Sequence, residues 1–299
     1  MTRVLKISRQ GYYQLLSRNQ KEKESNTRIA GLVKEVRKKH KHMGGKKLHG
    51  KLVPKFEELA IKCGRDKFFD ILRAENLLVR YRKRFVKTTQ SKHMFYKYTN
   101  LIQDLKITRS EQVFVSDITY IKTNEGFMYL FLITDAYSKQ IMGWELSDNM
   151  KTINAVKALK MAIKNRKYPE RELIHHSDRG LQYCNPSYIK VLNENGIKIS
   201  MTTRYDPYEN AVAERVNGIL KTEYEIGDGF IGCKDAKREI KYAIRLYNTD
   251  RPHLSCEGMV PAEAHINENY RLKRWSKEFP SRDMSLDGNN NNFKQELLT

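Results

Sequence analysis

The sequence predicts a mixed α/β sheet flanked by helices, preceded by a small all-α unit of helix-turn-helix type. Three observations carry this. Three apolar strand patterns, VFVSDITYI, FMYLFLITDAY and IMGWEL, follow one another closely. Helical and strand patterns then alternate to the end of the apolar sequence, and the basic stretch ahead of the strands has helical periodicity only.

Residues 1–20 read as a basic lead-in whose Tyr12, Tyr13, Leu15 and Leu16 are expected to dock on a neighbouring element. Thr27–His42 reads as a helix with an apolar stripe of Ile29, Leu32, Val33 and Val36, its Lys34, Arg37, Lys38, Lys39 and Lys41 facing solvent. Gly44-Gly45 breaks it. A second helix starts near Lys46 and is disturbed at Pro54; a third runs from near Arg65 to Asn76 and buries Phe68, Phe69, Ile71 and Leu72. Three short helices with glycine at a turn form a helix-turn-helix-like unit, which puts Arg65, Lys67 and Arg73 on the candidate recognition helix. The following segment, with Arg80, Arg82, Lys83, Arg84 and Lys87, reads as a basic linker.

From Glu111 the strand signals begin, with turns at Asn124-Glu125-Gly126 and Ser138-Lys139. A helix over Thr152–Lys164, the strand ELIHHS, a helix from Pro186 to Asn195, the short strand KISMT and a helix around Glu214 follow. That order is the one found in ribonuclease-H-like nucleotidyl transferases. The boundaries predicted are 1–78 for the basic helical region, 79–107 for the basic linker, 108–270 for the ribonuclease-H-like core and 271–299 for a polar, disordered tail.

The formal charge of +21 points to a polyanionic partner. It is unevenly spread: residues 1–107 hold 28 Lys and Arg against 9 Asp and Glu, whereas residues 108–299 hold 28 against 26. One region is built to grip nucleic acid and the other to act on it. Cys63, Cys184, Cys233 and Cys256 are too dispersed for a Cys-x-x-Cys site and too few for a disulfide scaffold. No apolar run approaches the roughly 18 residues of a transmembrane helix, and MTRVLKISRQGYY lacks a signal-peptide core. A soluble, cytoplasmic protein is expected.

Three acids stand out. Asp117 interrupts an apolar strand, where a charge needs a cation to neutralise it; Asp178 ends a later apolar strand; Glu214 lies in an amphipathic helix, with thirty-five residues between it and Asp178. Such a set on three elements predicts one metal site. Mg²⁺ suits it, being hard and held by a few carboxylates with substrate phosphate oxygens, and a pair of ions about 4 Å apart serves phosphodiester displacement.

SDITY, HHSDRGLQY, YENAVAERVNGILKTE and YNTDRPH…PAEA, in this order, resemble the insertion sequence 3 family of bacterial transposases. The likeness is to its second-frame (OrfB) product with a retroviral-integrase-type core, and it runs from about residue 7 to 266. The resemblance implies that Asp117, Asp178 and Glu214 are a metal-binding DDE triad using Mg²⁺, with Mn²⁺ able to substitute. It also implies that Lys221 meets DNA from the face of the helix that bears Glu214. The partners implied are double-stranded DNA in the form of terminal inverted repeats and target DNA, a first-frame (OrfA) product as partner or fusion, and further copies of this chain assembled on DNA. Phe114, Cys256, Arg204-Tyr205 and Glu209 depart from the common pattern, which leaves the loop before Glu214 undefined. A metal-dependent nuclease of the same fold and a non-catalytic DNA-binding regulator are the alternatives. YNTDRPH weighs against the first and the complete triad against the second.

Other residues have plainer readings. Asp135 precedes a hairpin turn and is expected to bond local backbone groups. His175 and His176 have no matched His or Cys pair, so packing or hydrogen bonding beside the acid is expected rather than zinc. Asn210 either caps the catalytic helix or faces substrate as a DNA contact; the residues alone leave both open.

Overall fold

The computed structural model describes residues 8–79, 94–203, 210–267 and 269–270. The basic residues Arg80 to Lys87, the Arg204–Glu209 loop and the tail after Tyr270 lie outside them.

The helical region holds α1 (Arg9–Lys39), α2 (Gly45–Glu58) and α3 (Arg65–Ala74). Ile29 and Val33 of α1, Leu48, Leu52 and Phe56 of α2, and Phe68, Ile71 and Leu72 of α3 close on one another around Met43. The first helix starts eighteen residues earlier than expected, because residues 9–26 join it, and ends at Lys39 rather than His42. Ser8 accepts a hydrogen bond from the Gly11 amide and so caps its start. This front part buries none of its side chains: Tyr13, Leu15 and Leu16 stay exposed rather than docking on another element. The second helix continues four residues beyond Pro54.

In the core, β1 (Val113–Thr123), β2 (Gly126–Asp135) and β3 (Ile141–Ser147) form an antiparallel meander. α4 (Thr152–Lys164) leads into β4 (Ile174–Ser177), and the short α5 (Leu181–Cys184) and α6 (Pro186–Glu194) lead into β5 (Lys198–Met201). β4 and β5 add in parallel, giving the order β3-β2-β1-β4-β5, the ribonuclease-H-like arrangement expected. α7 (Ala211–Glu223), α8 (Cys233–Thr249) and α9 (Pro261–Ile266) follow.

Strand alternation sorts the two faces. Phe114, Phe131 and Ile133 pack with α4 and α6 on one side. Ile121, Leu130 and Leu132 pack with Val216, Ile219 and Leu220 of α7 and with Ile240, Ile244 and Tyr247 of α8 on the other. α4 lies so close to the sheet that a Cβ on Gly143 would run into the Ala158 carbonyl, which is why β3 tolerates a glycine there. Phe114 is fully buried in this core, so its departure from the family pattern touches packing alone. All four cysteines are free, and no helix among the described residues is long and apolar enough to cross a membrane.

Candidate active site

Asp117 shares its strand face with Val113, Val115 and Ile121. Val113 and Val115 pack against Ala213 and Val212 near the start of α7, and Ile121 packs further along that helix. The period of two therefore sets a carboxylate beneath α7 at the first of two polar points in the row, Thr119 being the second. Asn217, 6 % exposed, fills that point: its Nδ2 donates to Asp117 Oδ2 at 2.6 Å.

Asp178 follows β4 directly. β4 runs parallel to β1 with Val113 opposite Ile174 and Val115 opposite His176. The same register carried two residues on sets Asp178 opposite Asp117. The Gly180 amide donates to Asp178 Oδ1 at 2.9 Å, and a Cβ on Gly180 would stand 2.9 Å from that oxygen. The turn after the acid thus needs glycine because its backbone closes on the carboxylate.

Glu214 enters from above, exposed in the first turn of α7. On a helix, residues 214, 217 and 221 lie within about 60° of one another, so Glu214, Asn217 and Lys221 line one stripe. The electrostatics agree. Burial, then the charge of Asp178, and further down that of Glu214 push Asp117 up to about 7, against the lowering effect of the Asn217 hydrogen bond. Partial desolvation at the foot of the helix raises Glu214 as well. Burial lowers the Lys221 ammonium while Asp117 partly restores it. Glu225, the nearest plain alternative partner for Lys221, is taken instead by Lys41 at 2.7 Å and His42 at 2.6 Å.

Among the described residues no three His, Cys, Asp or Glu side chains stand close enough together to hold a metal ion. Asp117 and Asp178 are brought side by side, and Glu214 is near enough for its charge to be felt. Each of the two aspartates is hydrogen-bonded to its own neighbour, Asn217 or Gly180, and Glu214 reaches toward solvent. The three groups are oxygen donors of the kind a hard divalent cation takes. Asp117, raised by burial and by the charges of Asp178 and Glu214, would be relieved by such a cation. Two orphaned oxygens lie at the same place: Asn217 Oδ1 and Asn210 Oδ1 are buried without a hydrogen-bond partner among the described residues.

Asn210 sits at the N-cap position but its side chain makes no cap bond. Its Nδ2 crosses to the Ser116 carbonyl at 3.1 Å, pinning the start of the Glu214 helix to the residue before Asp117. His175 is a core residue: its Nε2 meets Ser116 Oγ at 2.7 Å and Tyr188 Oη at 2.9 Å, and burial with the charge of His176 lowers it to about 3. His176 Nδ1 meets Ser200 Oγ at 2.9 Å. Asp135 accepts from the amides of Glu111 and Ser138, as a turn acid should. Arg65, Lys67 and Arg73 are exposed on α3 and paired with Asp66, Glu22 and Asp70. Asn217 was not singled out by the sequence. Its spacing of three from Glu214 was the available signal.

A family model described as Integrase core domain matches residues 107–207, and a second of the same description matches residues 195–261. The insertion element IS600 uncharacterized 31 kDa protein of Shigella sonnei is 32 % identical over 267 residues, 88 % of this chain and 96 % of that one. Transposase InsF for insertion sequence IS3A of Escherichia coli (strain K12) is 34 % identical over 200 residues, 66 % of this chain and 69 % of that one. Among solved structures, the HTLV-2 integrase catalytic core domain in complex with magnesium is 17 % identical with a TM-score of 0.43, covering 52 % of this chain and 97 % of that one. The simian T-cell lymphotropic virus intasome in complex with PP2A regulatory subunit B56 gamma is 16 % identical with a TM-score of 0.47, covering 80 % and 76 %.

Proposed function

The chain belongs to the insertion sequence 3 family of transposases with an integrase core. From that premise we propose that Asp117, Asp178 and Glu214 hold its divalent metal and that it acts on the terminal inverted repeats of its element. The protein is a DNA transposase, a polynucleotidyl transferase, and integrase-type cores use divalent metal ions. Mg²⁺, as two ions and replaceable by Mn²⁺, is the cation that suits an all-oxygen donor set. When bound, such ions supply Lewis-acid stabilisation of the attacking and leaving oxygens of a phosphodiester.

The chain's own residues do the remaining work. Asn217 holds the Asp117 carboxylate in one orientation, and the Gly180 amide does the same for Asp178. Asn210 fixes the entry of α7 against β1, so that Glu214 approaches the pair from a constant direction. Lys221, about 10 Å along the helix from Glu214, is suited to hold a phosphate of the DNA that enters the site. α3, with Arg65, Lys67 and Arg73, meets DNA outside it. Copies of this chain assembled on DNA, a first-frame product as partner or fusion, and target DNA complete the reaction.

The observation that supports this reading best is the shared register of Asp117 and Asp178 beneath the helix that carries Glu214. Asp117→Asn, Asp178→Asn and Glu214→Gln are each expected to lower cleavage and joining of labelled element ends by about three orders of magnitude, with DNA binding retained. Joining preserved in any of the three overturns the assignment. Cleavage without joining by the unaltered protein fits a nuclease of the same fold instead.

A further inference from the structure

YNTDRPH has no part in the site described above, yet two of its residues, Asp250 and Arg251, are heavily engaged. Arg251, 2 % exposed, grips Glu223 with both arms of its guanidinium, Nε to Oε2 at 2.7 Å and Nη2 to Oε1 at 2.9 Å. Lys47 of α2 donates to the same Glu223 at 2.5 Å. Lys51, one turn on, donates to the Asp250 carbonyl at 2.8 Å and to its carboxylate at 2.5 Å. His40, 1 % exposed at the end of α1, closes the ring with Nε2 to Asp250 Oδ2 at 2.7 Å.

The two units keep separate apolar cores, one built from α1 to α3 and the others around the sheet. What joins them here is polar and directional. Within the core the bidentate Arg251–Glu223 pair holds one anion of the seat at a fixed angle, the half-buried Lys47 and Lys51 with His40 reach it and Asp250 from the helical unit, and partly desolvated ion pairs specify an arrangement more than they stabilise it. Glu223 is the last residue of α7, about 14 Å along the same rigid helix from Glu214.

We propose that this ionic seat fixes the orientation of the helical unit relative to the carboxylates, so that DNA gripped by the helices is presented to the site at one angle. Glu223, Asp250 and Arg251 are then positioning residues, and YNTDRPH is the core's half of the seat. This rests on the reading of the helical unit as the DNA-gripping part. Such a role predicts lost joining without lost binding, since misorientation by an ångström or so costs rate rather than contact.

The test is a charge exchange between Lys51 and Asp250 in the full chain. In cells carrying the whole element, Lys51→Glu should lower the yield of joined ends by about 10- to 100-fold, and adding Asp250→Lys should restore most of it. Purified Lys51→Glu protein should keep its melting temperature and its affinity for element ends. Wild-type joining by Lys51→Glu overturns the proposal. So does a loss of DNA affinity that Asp250→Lys fails to repair, which would make Lys51 a plain DNA contact. If Lys51→Glu does not accumulate folded, the same comparison of joining and binding is read on Lys51→Met, where unchanged joining overturns the proposal. Asp117→Asn serves as the separate control: joining retained there breaks the metal-site reading and leaves the seat standing.

Discussion

The helical unit and the catalytic core use charge in opposite ways. In the first, the cations of α3 are exposed and loosely partnered: Arg65 with Asp66 at 3.0 Å and Lys67 with Glu22 at 2.9 Å are surface pairs. Such pairs contribute about 0–1 kcal/mol each, so a phosphate can replace either acid at small cost. In the core the charges nearly balance, but some are buried. Glu111, fully buried, accepts from Arg166 Nε at 3.0 Å and lies 3.2 Å from His265 Nε2, while Asp117 lies under a helix. Affinity for a polyanion is the sum of many weak, exchangeable contacts; chemistry and rigidity depend on a few costly ones. Apart from Lys47 and Lys51, which face the core, loss of one charge should therefore be barely felt in the first region and severe in the second.

The largest expected effect is at Glu111. Burial would raise its carboxyl, but hydrogen bonds from His265, the Lys167 amide and Arg166 hold it near 2, while Asp135 and Glu111 overcome burial to lift His265 to about 9. Glu111→Ala leaves Arg166 without its anion and His265 with Asp135 alone, and should cost about 3–5 kcal/mol by chemical denaturation. The pH dependence has two edges. The Glu111 contribution is present above its ordinary value of 4.5 and is lost as pH falls through 2. That of His265 is complete below 6.5 and is lost as pH rises through 9. The stability difference between wild type and His265→Gln should thus be greatest below pH 6.5 and shrink toward zero above 9; a difference that grows with pH would show the pair is not ionic.

Next comes Asn217. Its amide holds Asp117 much as outer partners hold metal ligands, and removing such partners costs about 10- to 100-fold in activity or metal affinity. Asn217→Ala should lower joining by that factor and demand more Mg²⁺ for half-maximal rate, while Asn217→Asp, which adds a fourth acid, should not rescue it. An unchanged Mg²⁺ requirement would reduce Asn217 to a packing residue.

Lys221→Ala is expected to weaken productive binding of element ends by about tenfold, one charge-assisted contact, with the Mg²⁺ requirement unaltered. Wild-type joining at subsaturating DNA would make it an ordinary helix lysine. The smallest effects belong to α3: Arg65→Ala, Lys67→Ala and Arg73→Ala should each lower the slope of log affinity against log salt by about one if each meets a phosphate. A slope that stays constant would move the DNA contact off α3.

Local pattern and covalent order told most of the fold. The alternation in VFVSDITYI and FMYLFLITD marked β1 and β2, the periodicity of TINAVKALKMAIK marked α4 over Thr152–Lys164, and Asp117 was conspicuous as a charge within an apolar run. These are properties of neighbours in sequence, and a period of 2 or 3.6 is all they require. The front of α1 escaped notice because its residues face solvent and carry no stripe. α8 does carry one, at Ala236, Ile240, Ala243, Ile244 and Tyr247, so this helix was legible from its periodicity.

What the tertiary structure decided is pairing across distance. The register of β4 on β1 brings Asp178 beside Asp117, the crossing of α7 brings Asn217 rather than Glu214 into contact with that acid, and the fold turns Asp250 and Glu223 toward His40, Lys47 and Lys51. No sequence pattern encodes such meetings, because each depends on strand register and helix crossing angle, which are fixed only when the apolar faces on both sides of the sheet are packed together.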